Sequence, residues 1–225
     1  MRIHAKAGIF VILTCLCLSG IQAGHPSSTG QTAGAKSVDS MPGLEHRVMI
    51  ELNEARTRPR QYAAGLAELR KHFKGNEFHR PGKVIILTKE GVSAVDEAIT
   101  FLRSAKPLSA LKLSRGMSRG ARDHVIEQGP AGLTGHDSIT GNKPWDRVSR
   151  YGIWREIIGE NISYGSDEAK MVVMGLIIDD GVPDRGHRKN IFNSRFRVAG
   201  VACGPHSSLG TMCVITFAGG YEEKL

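Results

Sequence analysis

The chain has 225 residues, with 30 Lys and Arg against 22 Asp and Glu, giving a formal charge of +8. At 40% hydrophobic and 23% charged it has a globular composition, which excludes wholesale disorder, and its length suits one medium domain. The positive charge is moderate, no dense Lys/Arg block occurs and aromatics are sparse at 6%, so nucleic-acid recognition has little to rest on.

Arg2 and Lys6 precede a mostly apolar run over residues 7–18, followed by Ser19, Gly20 and Ala23. A basic start, an apolar stretch and small residues are the layout of a secretory signal peptide. The run is too short for a membrane span, which needs about 20 apolar residues. Residues 1–23 are therefore read as a signal peptide cut after Ala23, and the mature protein as secreted, extracellular or periplasmic, with no membrane span. Cys15 and Cys17 leave with the leader. Cys203 and Cys213 remain, an even pair in an oxidising compartment, and are expected to form a disulfide across a hairpin.

Residues 24–43, rich in Gly and Ser and without an aromatic, read as a flexible linker, and residues 44–225 as the folded domain. Leu44, Val48, Leu52 and Ala55 recur at helical spacing. Pro59 interrupts that helix, which resumes through Tyr62, Leu66 and Leu69. Residues 73–81 read as a polar loop and 84–88 as a short apolar run. Helices are expected over 93–103 and 110–128, the second with Leu113, Met117, Ala121, Val125 and Ile126 inward. A Gly-rich loop over 129–144 holds His136. Residues 145–151 suggest one helical turn, and 157–164 form a short apolar segment interrupted by Glu160 and Asn161. Asp167 is a plausible N-cap for a helix running to Asp179, and 187–192 form a further turn. Strands over 196–202 and 214–218 close the chain. Helices first and a hairpin last point to α+β.

Glu160 in an apolar stretch must be exposed, paired or bound, because an isolated buried charge is expensive. Asp179 and Asp180 end a helix, where acids oppose the macrodipole and call for compensation by Arg185, Arg188 or a cation. His187 is within reach of Asp184. Two imidazoles and two carboxylates, His136, His187, Glu160 and Asp179, are the candidate cleft residues. Neutral imidazoles ligate zinc, and carboxylates add oxygen ligands or orient the rings. No H-E-x-x-H occurs, so spacing alone is a weak metal signal. His124 reads as a packed histidine, His206 as exposed, and Trp145 and Trp154 as packing residues.

Leu52-Asn53-Glu54-Ala55-Arg56, Ala121-Arg122-Asp123-His124, Gly135-His136, Trp145-Asp146-Arg147-Val148, Gly159-Glu160-Asn161-Ile162, Gly186-His187-Arg188-Lys189-Asn190-Ile191 and Val198-Ala199-Gly200-Val201-Ala202-Cys203 follow one another in an order that resembles the CAP superfamily. These are the cysteine-rich secretory, antigen 5 and pathogenesis-related proteins that share the SCP domain, and the chain looks closest to secreted bacterial members. The resemblance runs from about residue 44 to 221. It implies a three-layer α-β-α sandwich around a small, mainly antiparallel sheet. It also implies a central cleft in which His136 and His187 are metal ligands for zinc or another divalent cation, with Glu160 and Asp179 as the acids. Asp179 and Leu176 stand where many members carry Glu and Trp, and residues 71–106 look like an insertion.

The family has no single reaction. The first reading is a non-catalytic module binding a small molecule, lipid or cell-surface ligand. The second is a hydrolase using a metal-bound water or a Ser–His–Glu arrangement, with Ser138 and Ser163 as nearest nucleophiles. The third is a structural cleft whose polar groups satisfy one another.

Overall fold

The computed structural model describes residues 42–224. The expected signal peptide and nearly all of the expected linker lie outside the described residues. Helix α1 (Pro42–Thr57) and α2 (Pro59–Arg70) are separated where Pro59 was expected to interrupt. The expected polar loop after them contains paired backbone. Strands β1 (Phe73–Lys74), β2 (Glu77–Phe78) and β3 (Ile86–Leu87) form a small antiparallel sheet, followed by α3 (Val92–Ser104). The insertion suggested by the sequence is thus a miniature sheet and a helix.

The helix expected from residue 110 begins later. Strand β4 (Lys112–Leu113) comes first, and α4 (Arg115–Ala131) starts at Ser114, whose hydroxyl accepts from the amide of Met117. Leu113 is 55% exposed because it stands in this two-residue edge strand, outside the helical stripe. Ile126 is 52% exposed. It lies about 100° around the helix from Val125, and Met117, Ala121, His124, Val125 and Gln128 already fill the inward face. The helix also runs through Pro130, past the start of the expected loop, and ends at Gly132 with φ +66°.

Helix α5 (Pro144–Ser149), β5 (Gly152–Tyr164), α6 (Ala169–Ile178), α7 (Gly186–Ile191), β6 (Val198–His206) and β7 (Gly210–Glu223) complete the chain. At α6 the N-cap is Glu168 rather than Asp167, and its side chain makes no capping bond. The helix is apolar nearly all round, as a helix enclosed by others must be.

The main sheet has the order β4-β6-β7-β5, antiparallel except for the short parallel β4–β6 pair. Its two faces are read directly from residue parity. Ala199, Val201, Cys203, Cys213, Ile215 and Phe217 pack with α1, α2, α3 and α6. Ala202, Met212 and Val214, with Ile162 and Tyr164 of β5, pack on Ala121 and Val125 of α4. Helices therefore cover both faces, giving the α-β-α sandwich. Cys203 and Cys213 stand opposite each other in the β6–β7 register and are bonded. The far edge of β6 is not left open: the amide of Val201 donates to Ser118 Oγ and that of Cys203 to Glu45 Oε1.

Helix α4 approaches β6 closely enough to demand glycine. A Cβ on Gly200 would lie 2.3 Å from both the carbonyl carbon of Met117 and the amide nitrogen of Ser118. Gly200→Ala is expected to cost about 3 kcal/mol, because the obstacle is backbone and cannot rotate away. A lowered urea midpoint with unchanged slope checks this.

Candidate functional site

Glu160 lies on β5 opposite Thr216, on the face covered by α4. It is 3% exposed and is paired rather than solvated. Arg147 of α5 donates from Nη2 to Oε2 at 2.6 Å, and His136 donates from Nδ1 to Oε1 at 3.0 Å. Arg147, itself 1% exposed, also donates to the carbonyl of His136 and so holds the loop that presents the ring. Burial pushes the Glu160 carboxyl up, but the His136 hydrogen bond and the Arg147 charge outweigh it and hold the group below its ordinary 4.5.

The second pair forms at the end of α6. Asp179 takes the left-handed conformation that stops the helix. Its Oδ1 accepts from His187 Nδ1 at 2.6 Å, and its Oδ2 accepts the backbone amides of His187 and Arg188 at 2.9 and 3.3 Å. Asp179 therefore orients the ring and starts α7 together; the partner of His187 is Asp179, not Asp184. The expected compensation of the helix end comes from the two arginines. Arg188 donates to the carbonyls of Ile177 and Ile178, and Arg185 to that of Asp179. Asp180 turns away and accepts the amides of Lys89, Glu90 and Gly91, fastening the insertion beside the site.

The two pairs meet across β5. Asn161, next to Glu160, donates from its side chain to the carbonyl of His187, and Asn190 donates to both Asn161 Oδ1 and the Glu160 carbonyl. Both imidazoles spend Nδ1 on a carboxylate. Their Nε2 atoms are buried and have no hydrogen-bond partner among the described residues. With Nδ1 donating, the neutral form of such a ring carries its lone pair on Nε2, the tautomer that a metal-ligating histidine adopts. Unpartnered imidazole nitrogens are the donor type that divalent cations such as zinc take. The carboxylates are consumed in orienting the rings, and among the described residues no three His, Cys, Asp or Glu side chains group as a cage. A cation here would rest on the two Nε2 atoms, with the carboxylates as their supports.

Beside His187 lies a cavity of about 70 Å³, room for roughly five waters. Ile162, Tyr164, Met171 and Leu176 wall it, together with Phe78 and Ile86 from the insertion. Asp179 and His187 border it, while His136 and Glu160 are not among its walls. They connect to it through Tyr164, whose hydroxyl accepts from the amide of Gly135.

The Ser138 hydroxyl is occupied in its own turn, against Thr140 Oγ1 and the amide of Asn142. Ser163 borders the cavity, and neither hydroxyl bonds to an imidazole among the described residues. His124 is buried with Nε2 donating to the carbonyl of Gly135, and burial lowers its pKa. His206 is not exposed. It is 2% exposed and inside a hydrogen-bonded turn, with Nε2 on the Leu133 carbonyl and Nδ1 accepting from Ser208 and Leu209. Trp145 is 45% exposed rather than packed, because α5 turns its Arg147 and Val148 face inward. Sequence reasoning assigned no role to Arg147, although it stands between Asp146 and Val148 in a segment already singled out. An acid in an apolar strand was the signal to look for a partner if it proved buried.

The profile of the cysteine-rich secretory protein family (CAP) matches residues 97–217, so α1, α2 and most of the insertion lie outside it. A Bacillus subtilis (strain 168) protein, the uncharacterised YkwD, is 29% identical over 124 residues, covering 53% of this chain and 46% of its own length. The chain thus spans about half the length of the curated relative it matches. Among solved structures, an extracellular SCP-domain protein of Bacillus anthracis aligns at 21% identity and TM-score 0.40, over 56% of this chain and 37% of its own. An outer surface protein of Borrelia burgdorferi aligns at 18% and 0.42, over 52% and 80%. The order of motifs, the sandwich and the profile agree, and the chain belongs to the cysteine-rich secretory protein (CAP) family.

Proposed function

We propose that this protein is a secreted, non-catalytic binding module. Its cavity beside His187 takes a small apolar group, from a small molecule, lipid or cell-surface ligand, and its two imidazoles, His136 and His187, hold a divalent cation such as zinc. The observation that carries the reading is the pair of buried, unpartnered Nε2 atoms on rings whose tautomer is fixed by Glu160 and Asp179. An unsatisfied buried polar atom costs about 1–3 kcal/mol, and an occupant that accepts the lone pairs removes that cost. Secretion is supported by the leader-like start of the sequence and by the Cys203–Cys213 bond, which persists in oxidising compartments.

Calorimetric titration with zinc tests the cation. The parent chain is expected to bind about one equivalent, and the His136→Ala/His187→Ala variant none, with an unchanged circular dichroism spectrum. If the parent takes up no zinc, the cation reading falls. If His136→Ala lowers stability sharply in a parent that binds no zinc, the polar groups serve the fold instead.

A further inference from the structure

A small sheet laid against a protein hides one face and wets the other. The register of β1–β3 puts Phe73, Phe78 and Ile86 in one row and Lys74, Glu77 and Leu87 in the other. The first row faces inward: Phe73 and Phe78 stack at 4.6 Å, Phe78 is buried, and Phe78 and Ile86 wall the cavity. The outward side breaks the rule. Val84 is 73% exposed, Leu87 64% and Ile85 58%, the three most exposed large apolar side chains among the described residues. Isolated exposed aliphatics are ordinary; three within four consecutive positions make a ridge.

Lysines flank that ridge, with Glu77 as the one acid in its outward row. Lys83 precedes it, Lys89 follows it, and Lys74 lies in its outward row. The acids nearby are engaged. Glu77 accepts from His79, Glu168 accepts from Arg80 with Lys83 at 3.9 Å, and Asp180 is taken by backbone amides. Apolar side chains flanked by lysines are the composition that lies in a membrane interface, with aliphatics among the acyl chains and ammonium groups at anionic headgroups. The two-residue β3 is too short an edge to template another strand.

We propose that the ridge at residues 84–87 docks onto an anionic lipid bilayer, with Lys83 and Lys89 against the headgroups. The docked ridge and the cavity wall are opposite sides of the same strands. This proposal does not depend on cation binding.

Hydrogen–deuterium exchange of the whole chain tests it at the residues concerned. Phosphatidylglycerol vesicles are expected to slow exchange at residues 83–89, and phosphatidylcholine vesicles to leave it unchanged. Val84→Ser/Ile85→Ser/Leu87→Ser is expected to lower vesicle partitioning by about 100-fold. Lys83→Glu/Lys89→Glu should lower it by about tenfold or more. Both variants alter exposed side chains, and unchanged thermal melting verifies their folds. The proposal is overturned if phosphatidylglycerol gives no protection at 83–89, or if both variants partition like the parent. It is equally overturned if protection appears without vesicles and grows with protein concentration, which would make the ridge an interface between copies.

Discussion

Glu160→Ala is expected to destabilise the folded chain by about 3–5 kcal/mol, because it strands the buried Arg147 guanidinium without its counter-charge. It also removes the acceptor that fixes the His136 ring. Glu160→Gln keeps the shape and two hydrogen-bonding ends and should cost less, while still losing the charge. Urea denaturation at neutral pH measures both, and an Ala variant within about 0.5 kcal/mol of the parent would remove the ion pair from any account of the site.

The pH dependence separates this group from others. Glu160 is held below 4.5 in the folded chain, so its contribution is fully present above that value and is lost as pH falls through the folded pKa. His124 acts earlier. Burial lowers its pKa below 6.5, so the unfolded chain takes up a proton that the folded chain resists, and stability declines as pH falls below about 6.5. Hydrogen bonds from Arg185 and then Arg188 bring Glu97 down to about 2, but its side chain is 48% exposed and contributes little. Acid should therefore weaken the protein in two stages. Glu160→Gln should diminish the lower stage and leave the upper one intact.

Arg56→Ala is expected to cost at least about 4 kcal/mol. Arg56 comes from α1, is 1% exposed, and faces carbonyls rather than an acid. It donates to Ile191 at the end of α7, to Asn193 just after it, to Phe196 before β6, and to Ser109 before β4. Burial pushes its pKa down to about 10, which still leaves it charged at neutral pH. Alanine would leave a cavity and several buried carbonyls without donors. Lysine should recover less than half of the loss, since one ammonium cannot reproduce the planar fork. Thermal melting of the three proteins checks the ranking, and full recovery by Arg56→Lys would show that charge alone matters.

Much of the fold was legible locally. The spacing of Leu44, Val48, Leu52 and Ala55 names α1 because the inward face of a helix repeats every 3.6 residues. The cysteine pair named the β6–β7 hairpin, since two cysteines across a Gly-rich turn have few other partners. Where local signals misled, a neighbour had decided the outcome. Strand β4 exists because β6 lies beside it, and Ile126 is exposed because four turns of α4 already carry enough inward side chains. His206 is buried by carbonyls and amides that no sequence window contains.

The candidate site divides in the same way. His136, Glu160, Asp179 and His187 stand out in the sequence because charged and imidazole groups interrupt apolar or Gly-rich stretches. Their pairing does not. Residues 136 and 160, or 179 and 187, become neighbours only when α5, β5 and the end of α6 are packed, and only then do Arg147 and Asn161 acquire roles. The sequence by itself determined the α+β class and the disulfide, because periodicity and residue chemistry are local properties, while the layered sandwich was implied by the resemblance of its motifs. The tertiary structure alone decided which nitrogen of each ring is free, which arginine neutralises Glu160, and that the insertion walls the cavity. Those depend on distances between segments far apart in the chain.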